Sequence, residues 1–340
     1  MVEVPNDKNL TVIGAGAWGT ALANLLAEKG HAVTLWAYEP ELARQMSDER
    51  VNSLYLPEFP VHANINPTSD LAVAAQSGTV FVSVVPSHTV QGVWAELGTL
   101  LPEDSLVISA TKGIEAESLA TMSQILEATI PADKEATVAV LSGPSFAHEV
   151  SRKIPTAIVT AAADRATAKR VQQLFNTAVF RVYTNTDVLG VELGGALKNV
   201  MAIAAGVSDG LQFGGNARAA LMTRGLAEMT QLGVSMGARA QTFAGLSGMG
   251  DLVLTCTGEL SRNHTVGVQL GHGKALDAVM GEMHAVAEGV TTSVSAVRLG
   301  VKHQVEMPIA ESVEALLNGR ITPLEAVTSL MTRTLKQEDI

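Results

Sequence analysis

The first half of the chain alternates short apolar runs rich in β-branched residues with stretches whose apolar positions recur at helical spacing. The runs at residues 10–13, 32–37, 79–85, 105–110, 137–141, 156–160 and 180–183 predict strands. Between them, residues 18–28, 117–128 and 165–175 predict amphipathic helices. The strands are nearly continuous in apolar residues, which predicts a parallel sheet buried on both faces, hence a doubly wound α/β domain. Beyond about Thr186 the strand signal stops. Residues 187–209 read as one long helix, apolar almost all round and therefore buried. Further helices are predicted at 216–236, 239–245, 265–271, 275–280, 291–299, 308–317 and 323–330. The expected organisation is an α/β domain over residues 1–190 and an all-α domain over 191–340.

Composition narrows the function classes. Lys and Arg number 23 against 34 acids, a net charge of −11, which argues against a nucleic-acid partner, since that needs an electropositive surface. An anionic small substrate is still allowed, provided cations cluster locally. A single cysteine, Cys256, excludes an intrachain disulfide and points to a reducing compartment. The start of the chain lacks the basic and apolar regions of a signal peptide. The longest apolar stretch, near 191–207, is interrupted by Lys198 and Asn199, so no membrane span is expected. The expected location is the cytoplasm.

The first motif with chemistry is Gly14-Ala15-Gly16-Ala17-Trp18-Gly19, placed between a predicted strand and the helix that opens at Thr20. The first glycine permits a tight turn, the second lets a pyrophosphate approach the backbone, and the third (Gly19) lets helix pack on strand. The helix start then offers N–H groups and partial positive charge to the phosphates. This context makes the first domain Rossmann-like and its ligand a nicotinamide dinucleotide. An acid that bonds the ribose 2′-hydroxyl is expected at the end of the second strand, yet Ala37 and Tyr38 stand there and Glu39 comes late, before Pro40. Without that carboxylate a 2′-phosphate is not repelled, so NADPH is the expected cofactor and NADH the alternative. Arg44 is a candidate partner for that phosphate and reads equally as a solvated helix residue.

Lys198, in Gly194-Gly195-Ala196-Leu197-Lys198-Asn199, sits inside the most apolar helix. Burial and neighbouring cations lower a lysine's pKa toward the range where it donates and accepts protons near neutrality. The other reading is a lysine that snorkels to the surface. Ala110-Thr111-Lys112-Gly113 ends a strand on the edge where open α/β sheets bind ligands. Gly248-Met249-Gly250-Asp251, with Thr255, reads as a loop-like passage. Ser261-Arg262-Asn263 combines a guanidinium with the N–H groups of a helix start, which suits a phosphate. Each of these also reads as an ordinary turn or cap. Gly143-Pro144-Ser145-Phe146-Ala147 misses the nucleophile elbow of hydrolases at its last position, and His148-Glu149 lacks the second histidine of a zinc protease. No metal site is expected, and His88 and His264 read as surface or packing residues.

Taken together, these strings resemble the bacterial NAD(P)-dependent glycerol-3-phosphate dehydrogenases over nearly the whole chain. The resemblance also rests on Val84-Val85-Pro86-Ser87-His88, residues 218–228, Gly250-Asp251-Leu252-Val253-Leu254-Thr255-Cys256-Thr257 and Val286-Ala287-Glu288-Gly289. It implies reduction of dihydroxyacetone phosphate to sn-glycerol 3-phosphate, the backbone of phospholipids. Lys198 would be the proton donor and acceptor, with Lys112 and Asp251 beside it. Arg262 and Asn263 would hold the substrate phosphate, and Gly143, Ser145, Asn199, Thr255 and Ser261 would line the pocket. Ala17, Trp18, Tyr38, Lys112, Ala147, Arg262, Val286 and Glu288 would contact the cofactor, alongside the three turn glycines. A homodimer is compatible with the resemblance, but the residues leave the oligomeric state open. Two rival readings are a β-hydroxyacid dehydrogenase, whose substrate carries a carboxylate and no phosphate, and a non-catalytic dinucleotide sensor.

Overall fold

The computed structural model describes residues 8–283, 286–334 and 337. They divide into two compact units, one holding residues up to Thr111 together with Met122–Val188, the other holding Lys112–Thr121 and the chain from Leu189 onward. The excursion of residues 112–121 into the second unit differs from the sequence expectation, which kept everything before residue 190 in one domain.

The first unit contains ten strands: β1 (Asn9–Ile13), β2 (Ala32–Trp36), β3 (Val51–Asn52), β4 (Leu56–Pro60), β5 (Ile65–Thr68), β6 (Val80–Ser83), β7 (Leu106–Ser109), β8 (Thr137–Ser142), β9 (Thr156–Ala162) and β10 (Phe180–Asn185). Eight form one sheet in the order β10-β9-β8-β7-β6-β1-β2-β5, and β3 pairs with β4 separately. The seven strands expected from apolar runs are all present. β6 and β7 are buried throughout, whereas β10 at the sheet edge begins with alternating buried and exposed residues, as a half-covered strand should.

Two corrections concern this sheet. It is not all parallel, because β9 runs antiparallel to β8 while its other neighbour, β10, is parallel to it. The link from β8 to β9 carries only the short helix Ala147–Ser151 and returns the chain directly. The edge strand β5 was not anticipated, since Pro67 reads as a strand breaker; at an edge its missing N–H costs no ladder bond. The helix expected over 117–128 is also shorter, running Met122–Thr129.

The second unit is built on the core helix Val188–Gly210, which is 23 residues long and nearly all buried. It is the one described helix long and apolar enough to cross a membrane, and 89% of its most apolar window is buried, as for a core helix. Its close neighbour is the Arg262 helix, Arg262–Gly271. Gly206 and Gly210 of the first face Gly267 and Gly271 of the second, and a Cβ on Gly271 would lie 2.7 Å from the carbonyl oxygen of Val207. The two backbones therefore approach as only glycine allows. Buried Glu228 accepts from the N–H groups of Ile309 and Ala310 and caps the helix Pro308–Leu317 from its side; burial pushes its carboxyl up to about 8.

The passage expected to be loop-like is helical. Leu246–Gly250 forms a π turn that runs straight into the Asp251 helix, Asp251–Thr257. Its glycines serve packing rather than a loop: a Cβ on Gly248 would collide with the carbonyl of Phe243, and one on Gly194 would lie 2.7 Å from that of Ser247.

Candidate active site and dinucleotide turn

In the first unit β1 lies between β6 and β2, so the strand order reverses beside it, the place where open α/β sheets bind ligands. β1 ends at Ile13 and the chain turns through Gly14, whose φ of +117° and contact with Val84, 2.9 Å from a built Cβ, both require glycine. Gly19 packs so closely on the Gly14 carbonyl that a side chain would collide with it. Gly16 caps the helix Ala17–Glu28, and a Cβ there would face open space. No described atom crowds Gly16, and the first N–H groups of the helix have no partner within it, so the turn fits a pyrophosphate. Trp18 Nε1 is buried without a hydrogen-bond partner among the described residues. At the end of β2, Ala37 is buried and Tyr38 is 78% exposed, while Glu39 accepts from Tyr55 Oη at 3.1 Å. Arg44 is exposed on the following helix, Pro40–Asp48. Gly143, Ser145 and Ala147 follow β8, with Ser145 Oγ donating to the Gly143 carbonyl at 2.9 Å.

The second unit gathers four of the expected residues into one chain of bonds. Lys198 Nζ donates to Asp251 Oδ1 at 2.5 Å and to Thr255 Oγ1 at 2.7 Å. Lys112 Nζ donates to Asp251 Oδ2 at 2.7 Å. Thr255 Oγ1 in turn donates to the Asp251 carbonyl at 2.6 Å, one turn back along its helix. Lys198 is 6% exposed and Asp251 1%, so the snorkelling reading of Lys198 falls. Burial lowers the Lys198 ammonium from 10.5 to about 7; Asp251 opposes that shift and the Lys112 charge adds to it. Among the described residues, Asp251 and Thr255 take two of its three ammonium hydrogens. Cys256, next along the helix, is a buried thiol pushed up to about 12 by desolvation and is no nucleophile near neutral pH.

A second group adjoins this one along the core helix. Asn199 Oδ1 accepts from Asn263 Nδ2 at 3.0 Å, and Asn263 Oδ1 accepts from the N–H of Gly289 at 2.9 Å. Ser261 caps the Arg262 helix by accepting from His264 N at 3.2 Å, so the expected helix start is present. Arg262 is exposed at that start and interacts electrostatically with Glu288, which opens the Glu288 helix, Glu288–His303. Val286 lies just before it, half-buried. His264, read from sequence as surface or packing, is half-buried, with Nε2 2.7 Å from Asp209 Oδ2; Arg218 Nε donates to the other oxygen of Asp209 at 3.0 Å. No spacing in the sequence singles out Asp209, because its partners lie on two other helices.

Comparison with known proteins decides the family. Residues 9–168 match the model of the NAD-dependent glycerol-3-phosphate dehydrogenase N-terminus, and residues 187–328 that of its C-terminus. The chain belongs to this family. A glycerol-3-phosphate dehydrogenase (NAD(P)+) of Citrifermentans bemidjiense is 55% identical over 333 residues, covering 98% of this chain and 99% of that relative. One of Geobacter sulfurreducens is 56% identical over 332 residues, with coverage of 98% and 99%. The crystal structure of glycerol-3-phosphate dehydrogenase from Coxiella burnetii superposes with a TM-score of 0.91 at 38% identity, covering 95% of this chain and 98% of that one. The fold of the family, a Rossmann-like unit followed by a helical one, is the fold described above.

Proposed function

We propose that this protein reduces dihydroxyacetone phosphate to sn-glycerol 3-phosphate with NAD(P)H, and that Lys198 supplies the proton. The observation that carries the reading is the buried bond chain from Lys198 through Asp251 to Lys112, in a family member that also carries a dinucleotide turn. The cofactor, when bound, supplies a hydride to the ketone carbon. Lys198 gives its remaining proton to the carbonyl oxygen as the C–H bond forms, so the ketone becomes a secondary alcohol and the lysine a neutral amine. Asp251 and Thr255 fix the direction of that proton, and the Lys112 charge favours the developing alkoxide. Arg262, with the helix start at Ser261, holds the phosphate, and Asn263 offers its remaining amide hydrogen. The missing acid after β2 favours NADPH, and the product supplies the backbone of phospholipids.

The test is the consumption of NADPH and, separately, NADH on adding dihydroxyacetone phosphate, with inorganic phosphate as a competitor. Consumption that phosphate inhibits supports the reading. A carboxylate substrate turned over without phosphate inhibition would favour a β-hydroxyacid dehydrogenase, and cofactor binding without consumption would favour a sensor. Arg262→Ala is expected to raise KM for dihydroxyacetone phosphate by about 10- to 100-fold, the worth of a charge-assisted bond, and to change kcat less. An unchanged KM in steady-state kinetics would remove Arg262 from the phosphate site.

A further inference from the structure

We infer that Ser295 and Arg298, on the Glu288 helix, are positioning residues that hold Lys112 on Asp251 by gripping the backbone of residues 112–121. The inference rests on the proposed reaction for its consequence but on direct geometry for its substance. Ser295 Oγ, fully buried, donates to the carbonyl of Ile114 at 3.2 Å and approaches that of Glu115 at 3.5 Å. Arg298 Nη1 donates to the carbonyl of Ala116 and Nη2 to that of Glu117 at 3.3 Å. Two side chains one helical turn apart thus take four consecutive carbonyls, 114 to 117.

The gripped segment is rigid in itself. Ile114 bridges to Thr121, Glu115 N donates to the Ala120 carbonyl at 3.0 Å, and the Glu115 carboxylate accepts from Glu117 N at 3.0 Å and from Ser118 N at 2.6 Å. Ile114 is also fully buried in the apolar core of the second unit. A rigid segment held at four carbonyls places its first residue, Lys112, by leverage rather than by the lysine's own bond alone.

The consequence falls on Lys198, which is faced by Asp251 and Cys256 from the Asp251 helix and by Lys112 from this segment. If the grip loosens, Lys112 withdraws, its repulsion is lost and Asp251 is left to Lys198 alone. Both changes make Lys198 keep its proton to higher pH.

The experiment compares wild type with Ser295→Ala, Arg298→Met and the double variant. It reads the pH profile of kcat for dihydroxyacetone phosphate reduction, the rate at which an amine-reactive reagent labels Lys112, and Tm. The double variant is expected to label Lys112 several-fold faster and to move the alkaline inflection of kcat up by about one pH unit. A lower Tm with labelling and inflection unchanged would overturn the inference and leave a purely structural contact. Should the double variant fail to fold, Ser295→Ala alone is expected to move both readouts in the same direction, and its failure to do so is equally decisive. If wild type consumes no cofactor with dihydroxyacetone phosphate, the proposed function fails, and the Lys112 labelling still decides the grip.

Discussion

Replacing Lys198 by alanine is expected to lower turnover of dihydroxyacetone phosphate by about 10²- to 10⁴-fold, the usual worth of a positioned proton donor. Lys198 is the buried ammonium beside a carboxylate, and its pKa near 7 lets it give and regain a proton at neutral pH. NADPH affinity, read by quenching or by fluorescence of the bound nicotinamide, should stay within a few-fold, because the dinucleotide turn lies in the other unit. The loss should therefore appear in kcat rather than in cofactor binding. Turnover within tenfold of wild type would show that the proton comes from elsewhere.

Asp251→Asn is expected to damage both stability and rate. The Asp251 carboxylate accepts from both lysines, one on each oxygen, while being 1% exposed. An amide accepts through one oxygen only and presents its NH2 to the other ammonium, so one buried cation loses its partner. Breaking a buried pair in this way costs about 3–5 kcal/mol, or about 6–20 °C in the unfolding transition of a unit of this size. The counter-charge that raises the Lys198 pKa is also removed, so Lys198 is neutral at pH 7 and cannot donate. Thermal unfolding and turnover measured on the same preparation check both effects. A variant with wild-type Tm and rate would mean the two lysines do not depend on this carboxylate.

Much of this was legible in the chain before its structure. The apolar runs marked every buried strand, and the glycine triplet marked the tight turn between β1 and its helix, because each depends on local periodicity or on a local backbone requirement. β5 escaped because Pro67 suppresses a strand signal that an edge position tolerates. The helix at Asp251 escaped because Gly248 and Gly250 read as a loop, although Gly248 is a packing requirement against Phe243. Residues 117–121 carry helical periodicity, yet the Glu115 carboxylate caps the N–H groups of Glu117 and Ser118 and the chain folds back on itself instead.

The candidate site divides in the same way. Lys198 stood out as a charge in an apolar helix. Lys112 and Asp251 stood out only as members of separate clusters; their pairing with Lys198 did not, since Asp251 lies 53 residues and Lys112 86 residues away along the chain, and no periodicity links residues at such separations. Family resemblance named them together, and the folded chain shows the bonds that join them. Ser295 and Arg298 carried no signal at all, because they act on backbone carbonyls, which any sequence presents.

The central claim, that Lys198 is the group exchanging the proton, is tested most directly by the pH dependence of kcat in both directions on wild-type enzyme. Reduction needs the ammonium, so its kcat should fall as pH rises through about 7; oxidation of glycerol 3-phosphate needs the amine, so its kcat should rise through the same region. Mirror-image profiles that share an inflection near 7 are the predicted result, and profiles that are flat there, or that bend in the same sense, would contradict it.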